Sequence, residues 1–386
     1  MTVGDIAAAR AAAARAAADG TFVMPRTVRT ARLTLTQLGN HHTEDFVRFY
    51  GDEAASGYVG GPADAAGAWF RLAMYAGQWA LHGFGHYALH DASGEFVGFA
   101  GLWFPADWPE IEIGYAIVPE ARGLGYASEA ARAVSALALE LGAPSVVSYI
   151  HPDNEASKQV ARAAGAVEEG PVELGGKPAS VFRYPVEEAG AVPALDEDAA
   201  DAAWEVAAMP FTIRTARLTL CQWRRDHFDR YAAHHGDAAS KRFTGGALSA
   251  ARAWRQLAAD AGHWTLRGYG VYAVEVEGRL VGAVGLHRPL GWPEIELVWS
   301  LAADARGDGY ATEAARAVRA VAAEQGMKSL ASFIDPADAA SLAVAGRLGA
   351  WPDGAVAIDG REAVVHRHPM DVPVATEAAG SLHASL

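Results

Sequence analysis

The chain has 386 residues, room for two or three domains, and its 51% hydrophobic and 20% charged content belongs to a globular protein, not a disordered or collagen-like one. A net charge of −14 argues against holding a nucleic-acid backbone and is compatible with a cationic substrate, although an acidic balance also serves solubility. The single cysteine, Cys221, excludes an intrachain disulfide framework and fits a reducing, cytoplasmic setting, and no apolar run reaches the roughly 18 residues of a membrane span. In chain order, residues 1–23 are an Ala-rich segment broken by Asp5, Arg10, Arg15 and Asp19, which reads as a helix and not as a secretory signal. Residues 32–35 alternate as a strand. Residues 43–50 and 64–79 read as helices, the second with Asp64 as N-cap and Trp69, Leu72, Ala73 and Ala76 at helical spacing. Residues 86–90 and 96–103 flank a Gly-containing turn and predict a hairpin, and 110–118 predicts a further strand. Residues 126–141 carry the clearest helix, with Ala130, Ala131, Val134, Leu137 and Ala138 on one face and Gly142 at its end. A strand at 145–150, a helix at 156–164 and a strand at 181–186 complete a mixed α/β arrangement.

The same pattern then returns. The stretch Arg29-Thr-Ala-Arg-Leu-Thr-Leu35 recurs 185 positions later, starting at Arg214. After a one-residue deletion the offset becomes 184: Trp108-Pro-Glu-Ile-Glu112 matches Trp292-Pro-Glu-Ile-Glu296, and Arg122-Gly-Leu-Gly-Tyr-Ala127 matches Arg306-Gly-Asp-Gly-Tyr-Ala311. A period this long is a duplicated domain and not a solenoid unit. The expected organisation is a first domain at 24–186, an acidic linker at 187–208 with a short helix, a second domain at 209–371 and a disordered tail at 372–386.

Two features carry chemistry. Glycines between a strand and a long helix let a ligand approach the backbone, and the free amides at a helix start face an anion. The Arg122–Ala127 loop fits that description, as does a plain turn. It is neither a Walker loop nor a dinucleotide fingerprint. Glu110 and Glu112, two apart on one expected strand, would share a face, where either can act as a base or remain a solvated strand residue. Trp108 beside them can receive a cationic amine or simply pack. His151 and His287 are weaker candidates, and no metal-ligand spacing is present.

Taken in order, these motifs resemble GNAT-superfamily N-acetyltransferases of the RimJ/RimL-like type, in both copies. The resemblance runs through the opening TARLTL stretch, Glu112-Ile-Gly-Tyr115, the Arg-Gly-x-Gly-Tyr-Ala loop and His151-Pro-Asp-Asn-Glu-Ala-Ser157. It implies two α/β domains, each with a splayed, mostly antiparallel mixed sheet flanked by helices. Acetyl-CoA would lie between the fourth and fifth strands. Its pyrophosphate would rest on Arg122, Gly123, Leu124, Gly125, Tyr126 and Ala127, its pantetheine arm on Asn154 and its sulfur near Ser157. The matching positions of the second copy are Arg306, Gly307, Gly309, Tyr310, Ala311 and Ser341. The family's frequent Glu favours Glu112 as base over Glu110, and Glu296 in the second copy. The implied activity is acetyl transfer to a protein N-terminal or small-molecule amine, with no metal, nucleic acid or membrane partner. The alternatives are an aminoglycoside-type antibiotic acetyltransferase and an acyl-CoA sensor with little turnover. Asp308 and Asp338 replace Leu124 and Asn154 in the second copy, so the first is expected to be the better acetyl-CoA site.

Overall fold

The computed structural model describes residues 22–185, 194–195, 209–358 and 360–371. The Ala-rich opening helix, the helix in the acidic linker and the disordered tail are expectations that lie outside the described residues. The described chain falls into two compact units, and their boundary does not follow the repeat: Gln222–Val271 and Pro289–Gly291 of the second copy group with the first copy.

The first copy runs β1 (Thr27–Arg29), β2 (Thr34–Gln37), α1 (Thr43–Gly51), α2 (Glu53–Ser56), α3 (Ala65–His82), β3 (His86–His90), β4 (Phe96–Trp103), β5 (Glu112–Ile117), α4 (Tyr126–Glu140), β6 (Val147–Ile150), α5 (Glu155–Ala163), β7 (Val167–Leu174) and β8 (Lys177–Arg183), with β9 (Ala194–Leu195) paired to β1. Its sheet has the order β7-β8-β6-β5-β4-β3-β2-β1-β9. Hairpin-connected neighbours pair antiparallel, whereas β5 and β6 run parallel because α4 carries the chain back across the sheet. That parallel contact is limited to Glu112 opposite Val147, so the two strands part toward the C-terminal end of β5. Alternation along β4 divides the core. Ala100 and Leu102 join Leu35, Tyr87, Leu89, Ile113, Val134, Leu137 and Phe182 under α4. Phe99 turns to the other face and packs on Phe46 and Phe49 of α1.

The departures from expectation have local causes. The strand expected at 32–35 begins at Thr34, because Arg32 leaves the sheet to bind Glu129 of α4. The strand expected at 110–118 begins at Glu112, so Glu110 and Glu112 do not share a strand face. β7 escaped the sequence reading because it is an edge strand of mostly exposed residues carrying Gly170 and Pro171, which lack a strand pattern. Its partner β8 therefore starts earlier than the expected 181–186 and ends at Arg183.

Also in this unit are α6 (Phe228–Gly236) and α7 (Ala250–Arg267). A Cβ added to Gly77 of α3 would lie 1.7 Å from the Ala258 carbonyl oxygen, and one on Gly262 of α7 would lie 1.8 Å from that of Ala73. Only glycine at both positions permits this backbone-to-backbone crossing.

The second unit holds β10 (Thr212–Arg214), β11 (Thr219–Cys221), β12 (Val271–Val276), β13 (Arg279–His287), β14 (Glu296–Leu301), α8 (Tyr310–Glu324), β15 (Ala331–Ile334), α9 (Ala339–Arg347), β16 (Trp351–Ile358) and β17 (Arg361–Arg367), of which Val271 alone groups with the first. Its sheet order, β10-β11-β12-β13-β14-β15-β17-β16, repeats that of the first, and β14 meets β15 in parallel only at Glu296 and Ala331. Among the described residues no helix is long and apolar enough to cross a membrane.

Candidate active site

The glycine-rich loop enters α4 through two residues that need positive φ, Gly123 at +77° and Gly125 at +82°, the latter being the N-cap of the helix. With glycine there, no side chain caps the first turn, and the amides of Tyr126, Ala127 and Ser128 have no carbonyl one turn ahead. They point out of the helix start and suit an anion. The loop is held from behind. Arg32 donates through Nη1 to the Leu124 carbonyl at 2.7 Å and through Nε to Glu129 at 2.7 Å, and Thr30 donates to the same carboxylate at 2.6 Å. In the second unit Arg217 repeats the grip on the Asp308 carbonyl at 2.9 Å and on Glu313 at 2.7 Å. The repeated Thr-Ala-Arg-Leu is therefore a loop clamp as well as a strand entry. The Arg122 side chain donates to the carbonyls of Ile117 and Ala54. Leu124 is 53% exposed and Asp308 is exposed as well, so the residue type there faces solvent.

Glu112 sits where β5 and β6 begin to part. Burial pushes its carboxyl up to about 7, opposed by hydrogen bonds from Trp108 and the Tyr149 amide. The Trp108 Nε1–H donates to Oε2 at 2.6 Å. Glu296 has the same surroundings: burial pushes it up to about 7, Trp292 donates at 2.9 Å and the Phe333 amide at 3.2 Å. The repeated tryptophan is thus a carboxylate partner, a role its position four residues before the glutamate did not by itself reveal. Glu110 has a different fate. Burial raises its carboxyl, but bonds from Arg183 at 2.7 Å and Ser145 at 2.5 Å more than offset this and hold it below the ordinary range. It is an ion-pair partner tying β8 to the start of β5. Glu294 and Arg367 form the equivalent pair in the second unit.

The Ser157 hydroxyl donates to the Tyr115 oxygen at 3.2 Å, and the Tyr115 hydroxyl reaches the Ser157 carbonyl at 2.9 Å. Burial raises the Tyr115 phenol so far that it stays protonated and can donate. At the matching place in the second unit the Trp299 Nε1–H donates to Ser341 Oγ at 3.3 Å. Asn154 caps α5 by accepting from the Ser157 amide at 3.1 Å, and Asp338 caps α9 by accepting from the Ser341 amide at 3.1 Å. Both side chains need only accept for the cap, which explains why Asn and Asp interchange in that role.

Sequence reasoning missed an aromatic cluster on α3, β3 and β4, whose Trp103 pairs with Glu112 across the sheet. Tyr75 of α3 lies 4.3 Å in ring centroids from His86 of β3 and 5.5 Å from Trp103. Burial pushes the His86 imidazole down to about 3, leaving it neutral. A Cβ on Gly114 would stand 3.2 Å from His86 Nε2, so the glycine keeps the strand surface clear beside that ring. Arg71 ties the preceding loop by donating to the Gly60 and Gly61 carbonyls and lies 4.2 Å from the Tyr50 ring centroid. His151 is half-exposed beside Asp153, its ring 6.2 Å from that of Tyr58. His287 is partly buried, with its imidazole pushed down to about 4 by desolvation, and its ring is 5.4 Å from Trp292.

Solved structures resemble parts of the chain. An acetyltransferase from Agrobacterium tumefaciens str. C58 is 32% identical over 42% of this chain and 96% of its own, with a TM-score of 0.39. An acetyltransferase of the GNAT family from Bacillus anthracis is 19% identical over 42% and 99%, with a TM-score of 0.36. An aminoglycoside acetyltransferase in complex with coenzyme A is 17% identical over 39% and 93%, with a TM-score of 0.35. No curated protein matches the chain. The acetyltransferase (GNAT) domain profile matches residues 32–167 and again 217–350, well over half of the sequence, and the chain belongs to the GNAT acetyltransferase family, whose domain it carries twice.

Proposed function

We propose that the first copy, residues 24–186, is the principal catalytic unit of this acetyl-CoA-dependent N-acetyltransferase and that Glu112 is its general base. The observation that carries this reading is the position of Glu112, a partly buried carboxyl pushed up to about 7 where β5 and β6 open. The acceptor amine is protonated at neutral pH and cannot attack a thioester until it loses a proton. A carboxylate with a pKa near the working pH accepts that proton, directly or through water. The amine nitrogen then bonds to the thioester carbon, and a β5 backbone amide donates to the oxyanion. As the C–S bond breaks, the second proton of the nitrogen passes through the Tyr115 hydroxyl to the departing thiolate, the phenol taking one proton as it gives the other and so staying protonated, with Ser157 steadying that hydroxyl. The amides of the Gly123–Ala127 loop hold the pyrophosphate, and Asn154 fixes the helix start that presents Ser157.

The second copy, residues 209–371, retains the loop, Glu296 and Ser341. It differs where Gly114-Tyr115 becomes Val298-Trp299: an indole can donate a hydrogen bond but cannot pass a proton to a thiolate. This contrast, more than Asp308 or Asp338, supports assigning turnover to the first copy. A cytoplasmic site of action fits the lone Cys221. The test is thiol release across peptides with free N-termini, polyamines and aminoglycosides, with mass spectrometry of the products. Tyr115→Phe should lower turnover at least tenfold on the accepted class, and Trp299→Phe should change it little. Loss through Trp299 and not Tyr115 would transfer the role to the second copy.

A further inference from the structure

Helix α7 comes from the second copy yet lies in the same compact unit as the first copy's site. The glycine crossing with α3 fixes its position. Arg255, two turns before Gly262 and therefore on the same helix face, reaches the loop before β5. Its Nη2 is 3.9 Å from Asp107 Oδ2 and its guanidinium carbon 6.0 Å from the Trp108 ring centroid, while Nη1 donates to the Ala251 carbonyl at 2.9 Å. Trp108 in turn donates to Glu112 at 2.6 Å. The residue of α3 that aligns with Arg255 is Phe70, so the repeat does not supply this cation from the first copy's own sequence.

We propose that Arg255 is a positioning residue for Glu112: from the second copy, it holds the Asp107-Trp108 loop so that the indole stays on the carboxylate of the first copy's site. This rests on the reading of Glu112 as base. It gives the second copy a task that does not depend on its own turnover. The other groups facing Glu112 are the Tyr149 amide and the phenols of Tyr75, Tyr115, Tyr149 and Tyr184, none of which is charged near neutrality.

The test needs no acceptor. Infrared titration of full-length protein labelled with ¹³C-carboxyl glutamate, differenced against Glu112→Gln, gives the protonation midpoint of Glu112. Trp108→Phe removes the hydrogen bond and should raise the midpoint by about one pH unit, the scale of a hydrogen bond to a charged group. Arg255→Ala should raise it by roughly half as much through a loosened loop, and Arg255→Lys should restore part of the shift. Arg255→Ala added to Trp108→Phe should move it no further. Asp107→Asn separates positioning from the bare field of the charges, and it remains usable if Arg255→Ala fails to fold. Removing an anion lowers the midpoint through the field alone, whereas a loosened loop raises it. An unchanged midpoint in Arg255→Ala, or a lowered one in Asp107→Asn, overturns the proposal. Should Glu112→Gln keep full turnover while these shifts appear, the base assignment fails and the positioning stands.

Discussion

At the residue scale the proposed chemistry rests on Glu112, whose carboxyl desolvation pushes up to about 7. Glu112→Gln should lower turnover by roughly 10²–10⁴-fold, the contribution of a positioned base, and leave CoA binding nearly unchanged. The acid limb of the wild-type rate profile should fall near pH 7 and vanish in the variant; a limb that persists assigns the proton to another group. The same burial has a stability consequence with a definite sign. Below about pH 4.5 the carboxyl is protonated both folded and unfolded. Above that the unfolded chain ionises first, so the folded protein loses stability as pH rises toward 7. Replacing both raised carboxyls, Glu112→Gln with Glu296→Gln, should therefore raise the melting temperature relative to wild type at pH 8 and not at pH 4. Equal melting differences at the two pH values would show that neither carboxyl is held up by burial. Part of this was legible from sequence: the Trp-Pro-Glu-Ile-Glu repeat named the region. The resemblance favoured Glu112 over Glu110, but the physical reason was not legible, because Arg183, which claims Glu110, lies 73 positions away.

At the element scale, the loop between β5 and α4 combines positive-φ glycines with an external clamp. Valine at Gly125 would occupy a backbone region costly to a β-branched residue, so Gly125→Val should weaken CoA binding at the first copy. Arg32→Ala leaves the glycines and releases the Leu124 carbonyl. The Arg32 side chain is half-exposed, so the loss in CoA affinity should be moderate, about threefold to tenfold by calorimetry. Arg217→Ala should do the same to the second copy's binding event alone. A change in both events from either variant would mean that the loops are not independent. Sequence located this element well, because glycine spacing and a long periodic helix are local signals. Its clamp was invisible, since Arg32 reads as part of a strand until Glu129 is brought beside it.

At the scale of the whole molecule, the crossing of α3 and α7 joins helices from the two copies. Gly77→Leu forces a side chain against the Ala258 carbonyl, and separating the helices should cost about 1–3 kcal/mol or more. The readout is a lower melting temperature, with Gly262→Leu behaving alike; a Gly77→Leu protein that melts with wild type would contradict this packing. The sequence by itself determined the duplication, the α/β class, the strand-to-helix loop and the glutamate-bearing strand, because each is written in local periodicity, glycine placement or self-similarity. Only the tertiary structure decided that Trp108 donates to Glu112, that Glu110 belongs to Arg183, that Asn154 and Asp338 are both helix caps, and that Arg255 of the second copy lies beside Asp107 and Trp108 of the first. Those are contacts between residues far apart in the chain or on different faces of a turn, and which partner a buried charge finds is fixed only when packing brings the alternatives together.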